Sequence, residues 1–519
     1  VAIGYEALKV QNAAADAHNV AIGHQAGKAV TTGNLNTLIG SLAGDAITEG
    51  HSNVAVGYQA LSTNIDGDGN TAVGYSALFA LEPANGLTYN TGIGYNSGVN
   101  VTTGTQNTLL GADSGKSLTT GGQNVAIGFE ALAAEDEHSF NVAVGHRALK
   151  NQNAGASAHN TAIGHNAGLS VSTGTENTIM GGLAGDALTT GNRNVAIGYD
   201  ALGAEIRGDR NVAVGFDALG DQSNAGHVDV YNVAVGYDAG KAVTTGANNT
   251  IIGGLAGDAL TEGTGNTLLG NRAGGALTTG TYNVAVGMQA LNSETANGGN
   301  VAIGYLSLGT LNAGSDAYNT AVGHKAGNVL STGTHNNLIG GFAGDALTTG
   351  ASNVAIGYNA LGSDVEGSDN VAIGHNAMSA ADNSRANVAI GYEALQNLDY
   401  GSLTYSHNIG IGWRAGNDIT TGVRNTIIGG VAGDALTTAS DNVAVGYGAL
   451  TTEDDGGRNT AIGMNALSTL NAGADGNNVA VGYTAGALMS TGVENTIIGS
   501  HAGDALTTGA RNTALGYQA

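Results

Sequence analysis

Six aspartates, Asp45, Asp186, Asp258, Asp345, Asp434 and Asp504, stand in one register inside the wording AGDAL or a close variant. Carboxylates at a fixed register suggest calcium, which takes about six to eight oxygen ligands. These six lie four or more repeat units apart, about 20 Å at β-strand spacing, so two of them cannot share an ion within one chain. Only a three-fold assembly would gather three copies of one Asp. The nonapeptide pattern GGxGxD of calcium-binding rolls is missing. His24, His146, His165, His324 and His375 share another register, but Tyr and Phe alternate with them there, which is a packing pattern. No Ser-His-Asp arrangement, paired carboxylate or phosphate-binding loop recurs at constant spacing. The expectation is no enzyme, no metal and no cofactor.

Thr-Thr-Gly turns form the other chemically suggestive set: Thr31-Thr32, Thr102-Thr103, Thr189-Thr190, Thr244-Thr245, Thr348-Thr349 and Thr420-Thr421. Regular Thr rows on a flat face can order water for ice binding. Here about half the units carry them, and the two residues are consecutive, so one of each pair points elsewhere.

All these residues sit in one repeated unit, N-[VT]-x-[IVLM]-G-x-x-[AS]-[LG] followed by a polar tail, as in Asn177 to Arg193. We number its positions from the Asn. Thirty copies fill the 519 residues at a spacing of 17, stretched to 19, 20 or 21 at seven places. A fixed period overrides the several domains that this length would otherwise suggest. Positions two and four (Val195, Ile197) share one face of a strand, and positions one and three (Asn194, Ala196) the other. Gly at position five (Gly23, Gly40, Gly57, Gly181, Gly198) marks a backbone conformation or close approach that a Cβ would forbid. A second short apolar element, such as Ala187 to Thr189, precedes the next turn. Short β-branched segments with several Gly argue against helix. The fold expected is all-β: a parallel β-solenoid, or β-roll, of about 30 rungs, each with two short strands and two turns, running over residues 1–519 as a single continuous array. The recurring Asn (Asn19, Asn36, Asn53, Asn177, Asn194, Asn249, Asn353, Asn425, Asn495) is expected to stack amide on amide along the axis. It is also expected to take the left-handed conformation that starts each strand.

The totals agree. Gly reaches 88 residues with one Pro, Pro83, so Gly marks turns and not collagen. A net charge of −25 argues against nucleic acid, whose phosphates require Lys and Arg. Cys is absent, which removes disulfides and thiolate chemistry. No apolar run approaches the roughly 20 residues of a membrane helix. The chain begins and ends inside the motif without capping units, as a window of a longer protein would.

One correlation bears on the cross-section. Position three is large in eight units: Leu38, Leu109, Ile179, Ile251, Leu268, Leu338, Ile427 and Ile497. The same units carry Ser41, Ala112, Gly182, Gly254, Asn271, Gly341, Gly430 and Ser500 at position six, which elsewhere is mostly Tyr, His, Phe or Met. Trp413 pairs with Gly410. Matched volumes suggest that positions three and six share one space, reached by a bend at the intervening Gly. That space, with Tyr58, Tyr75, Tyr199, Tyr237, Tyr358, Trp413 and Tyr447, is the candidate inter-chain interface. The stretched units add loops at residues 10–18, 81–89, 150–159, 221–231, 310–318, 396–407 and 469–477, a natural place for ligand contacts on a rigid scaffold.

The wording NVAIGYDAL at Asn194 to Leu202 resembles the head repeats of YadA-type trimeric autotransporter adhesins. NTAVGYSAL at Asn70 to Leu78, with its 17-residue spacing, is similar to NTAxGYxAL repeats of phage and bacterial tail-fibre-like proteins. The resemblance spans the whole chain. It implies a left-handed β-roll and a homo-trimer at the cell surface or on a virion, extracellular, serving as an adhesive head or shaft that meets a host receptor or glycan. No coiled-coil stalk or membrane anchor is present in these residues. The alternative expectation is a structural protein polymerising end to end into long filaments; ice or glycan binding stands third.

Overall fold

Val, Ile and Thr at positions two and four favour an extended backbone, and Gly at position five ends it. In the computed structural model, which describes residues 1–13, 16–83 and 86–519, each unit accordingly contains a strand of three residues, two in the first unit. The tips of the first two stretched loops, 14–15 and 84–85, lie outside the described residues. Neighbouring strands pair in parallel with like positions aligned, Thr178 beside Val195 beside Val212. There are 30 strands of this kind, and the fold is a parallel β-solenoid. Two compact units divide them, Val1–Glu262 and Gly263–Ala519. No helix occurs among the described residues.

Within a turn the backbone bonds to both neighbours. Val195 N donates to Asn211 O at 2.8 Å, and Gly198 N donates to Met180 O at 2.7 Å. Gly198 holds φ near +136°, and a Cβ on it would stand 2.2 Å from Gly215 O. The bend therefore needs Gly for two reasons, dihedral and approach. Beyond it, positions seven, nine and seventeen turn through the left-handed region, with φ of 56° at Asp200, 55° at Leu202 and 59° at Arg193.

This turning corrects two expectations. There is one strand per turn rather than two. The segment Ala187 to Thr189 bonds to the next turn, Thr189 N to Ile206 O at 2.9 Å, but it follows closely on the left-handed Leu183 and Gly185 and forms no strand. The left-handed residue that starts each strand is the one before the Asn, not the Asn itself. Two further small sheets form in the longer corners, Gly67–Asp68 with Gly86–Leu87 and Asp382–Arg385 with Asp399–Tyr405.

The core is narrow. Position three, position eight and an aliphatic position twelve (Val30, Ile47, Leu188) are fully buried, with the Asn of position one beside them. Ser97 and Ser114 replace Ala at position eight and bond to each other at 3.0 Å. One turn of this size cannot bury enough apolar surface to offset its ordering entropy, so each turn depends on its neighbours.

Candidate functional site: an outer apolar face and buried polar columns

The Asn column is internal and fully engaged. Backbone N of Asn36, Asn53, Asn177, Asn194, Asn249, Asn353, Asn425 and Asn495 donates to Oδ1 of the Asn one turn earlier at 2.8 to 3.0 Å. Nδ2 of Asn19, Asn36, Asn53, Asn177, Asn194, Asn353, Asn425 and Asn495 donates to the carbonyl fourteen residues on, at 2.8 to 2.9 Å. One amide thus ties turn to turn and closes its own turn; Asn141 departs from this, its buried Nδ2 having no partner. Gly23, Gly40, Gly57 and Gly181 repeat the geometry of Gly198, with a Cβ meeting the next turn's Gly carbonyl at 2.1 to 2.4 Å.

Positions three and six do not share a space, which corrects the reading of their correlation. Leu38, Leu109 and Ile179 are buried inside, whereas Tyr58, Tyr75, Tyr199, Tyr237, Tyr358, Trp413 and Tyr447 stand outside, 43 to 57% exposed. Two separate compensations produce the correlation. Inside, a large position three faces Gly at position nine of its own turn and of the turn before. A Cβ on Gly27 would lie 2.6 Å from Leu38 Cδ1, and one on Gly44 would lie 2.8 Å from Leu38 Cδ2. Where position nine is Leu, position three shrinks: a Cβ on Gly410 would stand 2.6 Å from Leu395 Cγ. Outside, a small position six is filled from position seven. The Phe342 ring stands edge-on between His324 and Tyr358 at 5.1 and 5.8 Å, beside Gly341. His501 does the same between Tyr483 and Tyr517. Gly at position nine was the sequence signal for the inner compensation.

The outer face carries half-exposed aliphatics at positions two and four, with Ile163, Ile339 and Ile428 at 37 to 39%. Beside them runs the aromatic column. Tyr58, Tyr75 and Tyr95 stack at 5.3 and 5.2 Å, Tyr199, Phe216 and Tyr237 at 5.5 and 5.4 Å, and Phe129, His146 and His165 at 5.4 and 5.2 Å. Arg414 lies over the Trp413 ring at 5.7 Å. Stacking covers ring faces and presents ring edges, so the stacked column does not offer the open faces on which sugar rings dock. The result is an apolar strip repeated on every turn, of the kind that marks an interaction surface.

A second column escaped sequence reasoning. At position twelve, where most turns bury Val, Ile or Leu, eight turns bury a polar residue: Gln152 and Gln222 within stretched units, and Asn64, Glu135, Glu205, Glu294, Asp364 and Glu453 elsewhere. Of these last six, five stand directly below a stretched unit; Asp364 is one turn further away. Glu205 Oε1 accepts from the backbone N of Ile206, Arg207 and Gly208 at 2.8, 2.9 and 2.7 Å, and Oε2 from Gln222 and Asn224 side chains at 2.8 Å each. Glu453 accepts from Gly456 N and, in the stretched loop above, Ala472 N. Asp364 holds Gly367 N, Asn383 N and Ser384 Oγ. These carboxylates fix the corner of their own turn and the start of the next. Burial pushes Glu135, Asp364 and Glu453 above the usual carboxylate range. The signal was a polar residue at a position otherwise aliphatic.

Glu135, Asp136 and His138 come nearest to a metal-ligand set, with ligand atoms within 4.8 Å of one another. Their arrangement is the same corner. Glu135 Oε1 accepts from Asp136 N, His138 N and His138 Nδ1. Glu135 Oε2 and Gln152 Nε2, both without a partner, occupy the positions at which Glu205 and Gln222 bond. Of the six aspartates in one register, Asp45 accepts from Ser62 Oγ at 2.5 Å and Asp434 from Thr451 Oγ1, while burial raises Asp186 and Asp345. In the Thr pairs the first hydroxyl bonds to the next turn's carbonyl, Thr31 to Thr48 O at 3.2 Å and Thr189 to Ile206 O at 3.0 Å, while Thr32 and Thr103, second in their pairs, are exposed. No family model and no curated protein sequence matches this chain.

Proposed function

We propose that the chain is a segment of an extracellular structural fibre, the shaft or head of a trimeric adhesin or tail fibre. The outer face carries this reading: turns present half-exposed Val, Ile or Thr beside runs of stacked aromatic rings, an apolar surface of the kind that self-association covers. The repeats lend rigidity, since within each compact unit successive turns are tied together by backbone bonds and by the Asn column. Mass in solution tests it. Three chains per particle are expected, and a monomer at micromolar protein would remove the trimeric fibre. Micrometre-long filaments in electron micrographs would instead favour end-to-end polymerisation.

A further inference from the structure

We propose that His146 and His165 form a surface chelate for one divalent transition-metal ion of the zinc, nickel or copper class. The two residues hold position six of successive turns, whose strands Val142–Val144 and Thr161–Ile163 are paired in register. Their rings are stacked, with centroids 5.2 Å apart and planes 12° from parallel. Both are exposed, and among the described residues neither imidazole makes a side-chain hydrogen bond.

Imidazole nitrogen suits these ions, with metal–nitrogen distances of about 2.0–2.1 Å, so a bridging ion requires the outer edges of the rings to tilt together. The surroundings allow it. Below His146 the Phe129 ring is stacked at 5.4 Å. Above His165 position six is Gly182, so among the described residues no aromatic ring stacks on that face of His165, and water completes the coordination. The neighbouring cations Arg147 and Lys150 share Glu130 at 2.8 and 2.7 Å, which offsets part of their charge. His24, His324 and His375 stand in the same column but stack against Tyr or Phe, so each offers one nitrogen.

The test is calorimetric titration of the full chain with zinc chloride alone at pH 7.5, repeated with nickel chloride. His146→Phe and His165→Phe keep a ring of the type Phe129 and Phe216 already supply in that column, and circular dichroism verifies the fold. Each is expected to lose one equivalent of bound metal or to weaken it at least by the roughly 10–100-fold that even an outer-shell partner commands. His324→Phe should bind as the parent does. Undiminished binding in both pair variants, an equal loss in His324→Phe, or a parent chain that binds no metal would each overturn the proposal.

Discussion

A Cβ placed on Gly27 would stand 2.6 Å from Leu38 Cδ1, so the side chain at position three of one turn occupies the space left at position nine of the turn before it. Leu61 and Leu78 hold position nine in other turns at φ near 54° and 48°, close to the 57° of Gly27, so the backbone there accepts Leu. Gly27→Leu alone is expected to overpack and Leu38→Ala alone to leave a cavity, the latter costing about 2–5 kcal/mol. The double variant should recover a large part of either loss, a coupling that thermal unfolding of the four proteins reads directly. Additive losses would show that the two sites do not exchange volume.

Gly198→Val places a branched side chain at φ near +136° and against Gly215 O. A loss of about 3 kcal/mol or more is expected, confined to the turns that meet there. Limited proteolysis should cut at and beside this turn; a digestion pattern like the parent's would contradict the tight approach.

Asn194→Ala strips the acceptor from Asn211 N and Asn211 Nδ2 in the next turn and the donor from Gly208 O in its own. Three buried groups left without partners cost about 3–9 kcal/mol together. Hydrogen exchange should show the Asn211 amide losing protection first, because its only side-chain acceptor is gone.

For Glu135, Asp364 and Glu453 the folded pKa lies above the ordinary values of 4.5, 3.8 and 4.5, with burial as the leading cause. The folded chain therefore holds these protons more tightly than the unfolded chain. Their contribution to stability is full below those ordinary values and is lost as pH rises through the raised ones. Melting temperature should climb as pH falls from neutral toward 5, and Glu453→Gln should flatten part of that slope. Glu6 is the opposite case, held down to about 2 by Lys9 and Lys28, and it counts against the fold only in stronger acid.

Ile339→Lys and Ile428→Lys alter half-exposed side chains on the outer strand face. In an isolated chain they should leave the circular dichroism spectrum unchanged. If the face joins copies, the mass in solution should fall toward a monomer; an unaltered assembly would place the contact elsewhere.

Much of the fold was legible because period and residue type agree at every level: Val and Ile two apart, Gly after them, Asn at a constant place. The second strand was misread because apolar wording at Ala187 to Leu188 does not reveal the left-handed turn just before it; Leu183 adopts positive φ there although it is not Gly. The correlation of Leu38 with Ser41 was real, but two adjustments happen in one turn, one inward through Gly44 and one outward through Leu42. A single sequence shows only that they coincide. The buried carboxylates were hidden by their place in a polar tail, where Glu205 reads as solvated and is in fact enclosed by its own loop.

Within each compact unit like positions meet from turn to turn, so a stretch of chain could be excised there and the flanking turns would find familiar partners. The exchange between positions three and nine limits where such cuts fall. Removing the turn that carries Gly27 would bring Leu38 against Leu8, whereas removing the whole block from one stretched unit to the next preserves every fit. Length in this architecture should therefore change by whole blocks of four or five turns, a ruler graduated more coarsely than its smallest division.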